Sequence, residues 1–256
     1  MFHAIIQARM GSTRLPGKVL KKYKDKTPLC ILIDRLKKIE KINKIIISTT
    51  NLKEDNVFKR YCKKKKILIF KGDTHNVLKR FYKTAKTFNS KNIIRVTSDC
   101  PFIDIKTLKK MINLQIKNNY DYLANTYPLP CSFPDGSDIE IFTDETLKQT
   151  FKVAKLPSEK EHVTKYMWAS KKFRIFRLKS KINLSKYRYT VDILEDFKLF
   201  CFILDSFPRK DFYKIGMMKI INLIKKNPLE VEYQKNIKRN FGWNNSIKKD
   251  LKYLND

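Results

Sequence analysis

The sequence predicts an α/β fold around a mostly parallel sheet, and three observations carry that prediction. Short apolar, β-branched runs at 2–9, 44–49, 67–70 and 92–96 alternate with stretches of helical period. The 44–49 run carries Ile45-Ile46-Ile47, the pattern of a strand covered on both faces. The first run passes directly into a loop bounded by Gly11 and Gly17, at the sheet edge where open α/β folds hold ligands. A chain of 256 residues suits one large domain with an appended segment, taken here as a domain over 1–226 and an extension over 227–256.

Taken in order, residues 2 to 9 form the first strand, and Thr27 caps a helix over about 28 to 40 in which Ile31, Leu32, Arg35, Leu36 and Ile39 keep a helical period. A strand at 44–49, a helix at 55–63 and a strand at 67–70 follow. Lys71-Gly72-Asp73 turns into a helix from Val77 to about Phe88, and the strand at 92–96 ends in Thr97-Ser98-Asp99-Cys100-Pro101, where Pro101 stops the ladder. Asp99 therefore sits at a strand's carboxyl end, as a metal ligand or a helix cap, and Asp104 is the better cap for the helix at 104–118. A strand near 121–125 leads into a Pro-, Asp- and Gly-rich loop at 127–138, then a strand over 139–142 and a helix over 146–154. A second helix, 158–169, opens as a capping box with Ser158 and Glu161. On that helix His162 and Tyr166, four residues apart, share one face, pointing together at a ligand or into the core. Strands at 173–178 and 188–191 precede Asp192, a second carboxylate at a strand end, and helices at 195–206 and 211–226. Residues 227–256 are polar and turn-rich with no strong period.

The first loop is the chemical focus. Gly11 and Gly17 permit positive φ or close approach, Pro16 fixes one φ between them, and Arg9, Arg14 and Lys18 supply cations suited to a polyphosphate. It is not a Walker A loop: five residues separate the glycines where that motif has four, and Val19 stands where its Ser or Thr would be. A metal accompanying a triphosphate must therefore be held by carboxylates elsewhere, and Asp99 is the first candidate.

A net charge of +31 ordinarily suggests nucleic acid. Of the 56 Lys and Arg only 11 are Arg, however, and the lysines are spread along the whole chain with Asn and Ile, as AT-rich codon usage produces. Lys63 to Lys66 is the only dense run, so the expectation is a solvated surface and no nucleic-acid partner. No apolar run is long enough for a membrane span and no signal peptide opens the chain, so no membrane and a cytoplasmic location are expected. Five scattered Cys without C-x-x-C spacing disfavour both a disulfide framework and a zinc site.

With the loop, Asp99 and Asp192 in place, the chain resembles the cytidylyltransferase superfamily that activates acidic sugars as CMP derivatives, and most of all the spore-coat polysaccharide biosynthesis cytidylyltransferase-like family. The segments that carry the resemblance are Gln7 through Lys18, Thr97 through Pro101, Tyr127 with Pro134 through Glu140, Glu161-His162-Val163-Thr164, Thr190-Val191-Asp192 with Glu195-Asp196, and Arg239-Asn240 with Gly242 and Ser246. Lys165 departs from the Pro usual in that family.

The resemblance implies a Rossmann-like three-layer sandwich with a mixed, mostly parallel sheet, of the nucleotide-diphospho-sugar transferase type. It implies CTP over the first loop, bound by Gln7, Ala8, Arg9, Gly11, Ser12, Arg14, Lys18, Arg80 and Ser98, with Mg²⁺ at Asp99 and Asp192. Lys18, Arg14 and Asp99 are the implied catalytic residues, and Asp135, Asp138, Glu140, His162 and Tyr166 the implied acceptor contacts. The reaction is attack of an acceptor hydroxyl on the α-phosphorus of CTP, pyrophosphate leaving, with a small anionic sugar as acceptor. Neither Lys nor Arg occurs between Lys117 and Lys148, so the cation that offsets the acidic cluster must come from elsewhere, Lys165 or a partner chain being candidates. The resemblance leaves a homodimer open, and a glycosyltransferase using a nucleotide sugar is the alternative.

Overall fold

Consecutive residues of the buried runs face opposite sides of one sheet. In β1 (Phe2–Gln7) Ala4 and Ile6 join one core cluster and Ile5 another; β2 (Ile42–Thr50) divides Ile45 and Ile47 from Ile46 in the same way. The computed structural model describes residues 1–237 and 241–255. Arg239 and Asn240, in the tail segment of the family resemblance, lie outside the described residues.

Helix α1 (Pro28–Leu36) begins where Thr27 accepts the Cys30 N–H at 3.1 Å, with Pro28 at its first position. After α2 (Val57–Lys65) and β3 (Leu68–Gly72), α3 (Val77–Thr87) is capped by Asn76, which accepts from the Lys79 N–H at 2.8 Å. Strand β4 (Asn92–Thr97) leads to α4 (Ile105–Asn118), whose cap is Asp104, accepting the Thr107 N–H at 2.8 Å. The remaining elements are β5 (Tyr122–Ala124), β6 (Glu140–Thr143), α5 (Asp144–Val153), α6 (Pro157–His162), α7 (Lys165–Ala169), β7 (Ile175–Arg177), α8 (Leu194–Asp205), α9 (Met217–Lys226) and α10 (Phe241–Asn255).

The seven strands lie in the order β3-β2-β1-β4-β6-β5-β7. Pairing is parallel except on both sides of β6, so the sheet is mixed. Helices α1, α2 and α4 cover one face through Leu32, Phe58 and Ile112; α3, α5 and α7 cover the other through Phe81, Leu147 and Met167. This is the three-layer sandwich expected. Each fully buried Leu, Ile or Phe stabilises the fold by roughly 1.5–3 kcal/mol, against about 0–1 kcal/mol for an exposed ion pair, so the apolar layers and not the abundant lysines hold it together. No helix among the described residues is long and apolar enough to cross a membrane.

Four expectations need correction. The helix foreseen over 158–169 is two: α6 ends at His162, and Val163 takes φ 60°, a left-handed value costly for a β-branched residue. Its cap differs too, since Glu159 accepts from the Leu156 N–H at 3.0 Å, while Ser158 and Glu161 turn to α10. Residues 188–191 form no ladder strand, only an isolated bridge between Asp135 and Arg188. The helix foreseen over 211–226 starts at Met217, after a 3-10 turn at Arg209–Lys214. The tail, expected to lack a period, carries the 15-residue α10. That helix is fastened by polar contacts to α6, which hydrophobic periodicity does not register.

Candidate active site

Strands β1 to β4 are parallel, so the segments after Gln7, Gly72 and Thr97 emerge on one edge of the sheet. The loop after β1 is closed on itself: the Met10 carbonyl accepts the N–H groups of Ser12 (2.8 Å) and Gly17 (3.0 Å), and Ser12 Oγ accepts the Leu15 N–H at 3.3 Å. Its base is pinned by Asp55, wholly buried, which accepts the Met10 N–H at 2.7 Å. Gly17 sits at φ 67°, where a side chain would be strained. The loop thereby delivers Lys18 at the start of a 3-10 turn, aimed across the sheet edge.

Lys18 Nζ lies 3.2 Å from Asp99 Oδ2 and 2.5 Å from Asp192 Oδ1. The two carboxylates meet because the Asp99 carbonyl accepts both the Val191 N–H (2.8 Å) and the Thr190 hydroxyl (2.9 Å). Asp192 also faces Arg14 at 3.1 Å and Arg188 at 3.3 Å. Burial opposes the charge on Lys18, but Asp99 and then Asp192 outweigh it and raise its pKa. Burial likewise favours neutral Asp192, and Lys18, Arg14 and Arg188 overcome it, lowering that pKa to about 2. Among the described residues no three His, Cys, Asp or Glu gather as a metal cage. The pair nevertheless fits Mg²⁺, which commonly takes one or two carboxylates and completes its shell with substrate phosphates and water.

A cleft of about 520 Å³ opens beyond β1, lined by Gln7, Arg9, Asn76, Arg80, Lys160, Glu161, Lys249 and others. It is cationic, and the amino end of α3 opens into it. Arg80 is 1 % exposed, donates to the Asp73 carbonyl at 2.5 Å and has no hydrogen-bond partner for Nε among the described residues. Burial, then the charge of Arg9, lowers its pKa to about 10.

Two adjoining cavities of about 230 and 160 Å³ share Thr97, Tyr127, Asp138, His162 and Trp243. The larger also holds Arg14, Asp99, Asp135, Arg188 and Asp192, which puts the carboxylate pair at its mouth. The smaller is walled by Tyr127, Trp168 and Trp243, with ring centroids 5.4 to 5.8 Å apart.

The structure thus brings together Arg14, Lys18, Asp99, Asp135, Asp138, Asp192 and His162, and places Gln7, Arg9 and Arg80 in the cleft beyond β1. Glu140 also lines the smaller cavity, 4 % exposed and bound to Arg95, to the Tyr122 hydroxyl at 2.6 Å and to the Thr164 hydroxyl at 2.5 Å. Ala8 and Ser98 are buried and line neither cleft nor cavities; Ser98 extends the β1–β4 pairing through its N–H to the Gln7 carbonyl. Gly11 and Ser12 shape the loop. Tyr166 does not accompany His162: the break at Val163 turns it against Phe173, edge-on at 6.2 Å, outside both cavities.

The cations that offset the acidic cluster are not Lys165. That side chain pairs with Asp250 at 2.6 Å, whereas Arg188 binds Asp135 and Arg95 binds Glu140. Arg188 also makes a two-nitrogen contact with Asp196, 1 % exposed, at 3.1 and 2.7 Å. Arg95, Arg188, Trp168 and Trp243 were missed by the sequence reading. The signal for Arg188 was its place four residues before both an Asp and, at twice that spacing, another; Arg95 could have been noted as a cation inside an apolar strand.

A solved cytidylyltransferase from Leptospira borgpetersenii superposes with a TM-score of 0.84 at 33 % identity, covering 93 % of this chain and 98 % of that one. The spore coat polysaccharide biosynthesis protein SpsF of Bacillus subtilis is 30 % identical over 232 residues, 88 % of this chain and 94 % of that protein. A CMP:2-keto-3-deoxy-manno-octonic acid synthetase solved with CTP shares the fold, with a TM-score of 0.58 at 14 % identity over 80 % of this chain and 98 % of that one. Residues 3–236 match the cytidylyltransferase family model, and the chain belongs to that family, a nucleotidyltransferase enzyme.

Proposed function

We propose that the enzyme transfers CMP from CTP to a small anionic sugar, releasing pyrophosphate, in the synthesis of a surface polysaccharide. One observation carries the reading: Lys18 meets Asp99 and Asp192, and those two carboxylates line a cavity that also holds Arg14 and Arg188. The cleft suits the nucleotide, with Arg9 and Arg80 toward it, and the cavities suit the acceptor. Arg14 and Lys18 stabilise charge on the departing pyrophosphate, the first through a planar fork and the second as a mobile point charge. Arg188 keeps Asp192 ionised and faces the acceptor's carboxylate across the larger cavity. Asp99 and Asp192 would hold Mg²⁺, which supplies charge neutralisation at the α-phosphate when bound. Since the nucleophile is the acceptor's own hydroxyl, the chain's contribution is alignment and electrostatics, with no covalent enzyme intermediate.

The test is incubation with CTP, Mg²⁺ and a panel of sugar acids, reading pyrophosphate and CMP-linked mass. Pyrophosphate release only with neutral sugars would overturn the anionic acceptor, and transfer from a preformed sugar nucleotide without CTP would overturn the reaction itself. Asp99→Asn is expected to lower turnover about 100-fold or more while leaving the thermal midpoint near that of the parent. Activity within a few-fold of the parent would remove Asp99 from the catalytic set.

A further inference from the structure

Resting on the metal assignment just proposed, we infer that Lys18 is an exchangeable counter-ion: its ammonium holds the place between Asp99 and Asp192 that a divalent cation would take, so the cation enters only when phosphate oxygens draw Lys18 away. The two carboxylates converge on Nζ at 3.2 and 2.5 Å, and the side chain is only 12 % exposed. An ammonium and a divalent ion repel at such separations, and the same oxygens cannot serve both at full strength.

The partners of the pair are unequal in a way that suits exchange. Asp192 keeps Arg188, whose guanidinium is locked on Asp196 and Asp135. Among the described residues, Lys18 is the only cation within ion-pair distance of Asp99. When Lys18 leaves, Asp192 stays compensated and Asp99 becomes the uncompensated carboxylate. Lysine is suited to the part, since its flexible stem and single compact charge can swing from carboxylate to phosphate, whereas Arg188 is fixed at several points. The movement is confined to the side chain: Lys18 follows Gly17 at the end of a loop that closes on the Met10 carbonyl, and its own N–H is bonded to the Leu15 carbonyl. Nucleotide and metal then bind cooperatively, because each relieves the contact that opposes the other.

The test reads metal binding itself. Free Mn²⁺ is followed by its electron paramagnetic resonance during titration of the full chain without nucleotide, for the parent, Lys18→Met, Lys18→Gln and Lys18→Met/Asp99→Asn, each checked for folding by thermal melting. Lys18→Met or Lys18→Gln is expected to bind one Mn²⁺ at least about tenfold more tightly than the parent, within the usual span of coupling between ligands, and the double variant to return to the parent's weak binding. A gain of affinity is a signature that damage to the fold does not produce. Unchanged Mn²⁺ affinity in folded Lys18 variants overturns the exchange, as does a gain that survives the added Asp99→Asn change. Water-proton relaxation by Mn²⁺ with CTP, on the parent and on Asp99→Asn, tests the metal assignment separately. Loss in Asp99→Asn beside unchanged Lys18 variants defeats the exchange alone, and no loss there defeats the assignment on which it stands.

Discussion

At the scale of single residues, His162 shows how position sets chemistry. It ends α6, its ring 4.7 Å from Trp243 and its Nε2 2.9 Å from Ser246 Oγ, whose hydroxyl in turn lies 2.8 Å from Glu161. Burial, together with the charge of Arg95, lowers its pKa to about 4 against the pull of Glu161. The unfolded chain takes the proton near pH 6.5. This His therefore contributes stability in full above about pH 6.5, and that contribution is lost as pH falls toward about 4, where the folded state takes the proton too. We expect the thermal midpoint to drop between about pH 7 and pH 5, and His162→Gln to flatten the drop in melts across that range. His3 is buried and lowered in the same direction, so the variant's curve flattens without becoming level. An unchanged slope would remove His162 as the source.

At the scale of elements, two polar knots tie α10 to α6. Asp250 accepts from the Ser158 N–H at 2.8 Å, from the Ser158 hydroxyl and from Lys165 at 2.6 Å, and Ser246 contacts His162 and Glu161. Through that attachment α10 sets Trp243 in the cavities and Lys249 and Tyr253 in the cleft. Asp250→Ala leaves the buried Ser158 N–H without its acceptor and takes from Lys165 its carboxylate partner, at a cost of about 1–3 kcal/mol. The expected result is faster amide hydrogen exchange across Phe241–Asn255 with β1, β2 and β4 unaffected, because α10 adds no strand to the sheet and can open locally once this knot is cut. Exchange that rises uniformly over the whole chain would show α10 to be part of the global unit. The loop at Pro134-Asp135-Gly136 is held differently: a side chain at Gly136, φ 99°, would stand 2.4 Å from the Thr190 nitrogen, so only glycine lets the acidic loop lie against the segment bearing Arg188 and Asp192.

At the scale of the molecule, one buried cation ties the sheet's helical layer to the α8–α9 region. Arg35 on α1, 1 % exposed, donates to the carbonyls of Ile103 (2.9 and 2.8 Å), Phe212 (3.0 Å) and Ile215 (2.7 Å). Burial lowers its pKa to about 10, so it stays charged through neutral pH. Arg35→Met fills similar volume but strands three buried carbonyls, and each such loss costs roughly 1–3 kcal/mol. We expect a fall of about 3 kcal/mol or more in unfolding free energy by denaturant titration, a large share of a typical domain's stability. A fall under about 1 kcal/mol would mean that water replaces the guanidinium there. The +31 charge has no comparable architectural part, since most lysines are exposed or half-buried on the surface.

The sequence by itself determined the layers, the order of the first four strands and helices, the caps at Thr27 and Asp104, and the cation-bearing loop that places Lys18. These follow from local quantities: apolar period, capping chemistry and the freedom of Gly17, each set by residues a few positions apart. It also placed Asp99 correctly just beyond the strand β4, because Pro101 marks the end of the ladder. The tertiary structure alone decided that Asp192 reaches Asp99 without a strand, through hydrogen bonds between residues 91 and more positions apart. It alone decided that Arg95 and Arg188, not Lys165, balance the acidic cluster. The parting of His162 from Tyr166 belongs with these, for the turn at Val163 is held by Thr164 bonding to Glu140 on another element. Charge pairing and backbone breaks of this kind depend on which segments the sheet brings together, and a one-dimensional period carries no record of that meeting.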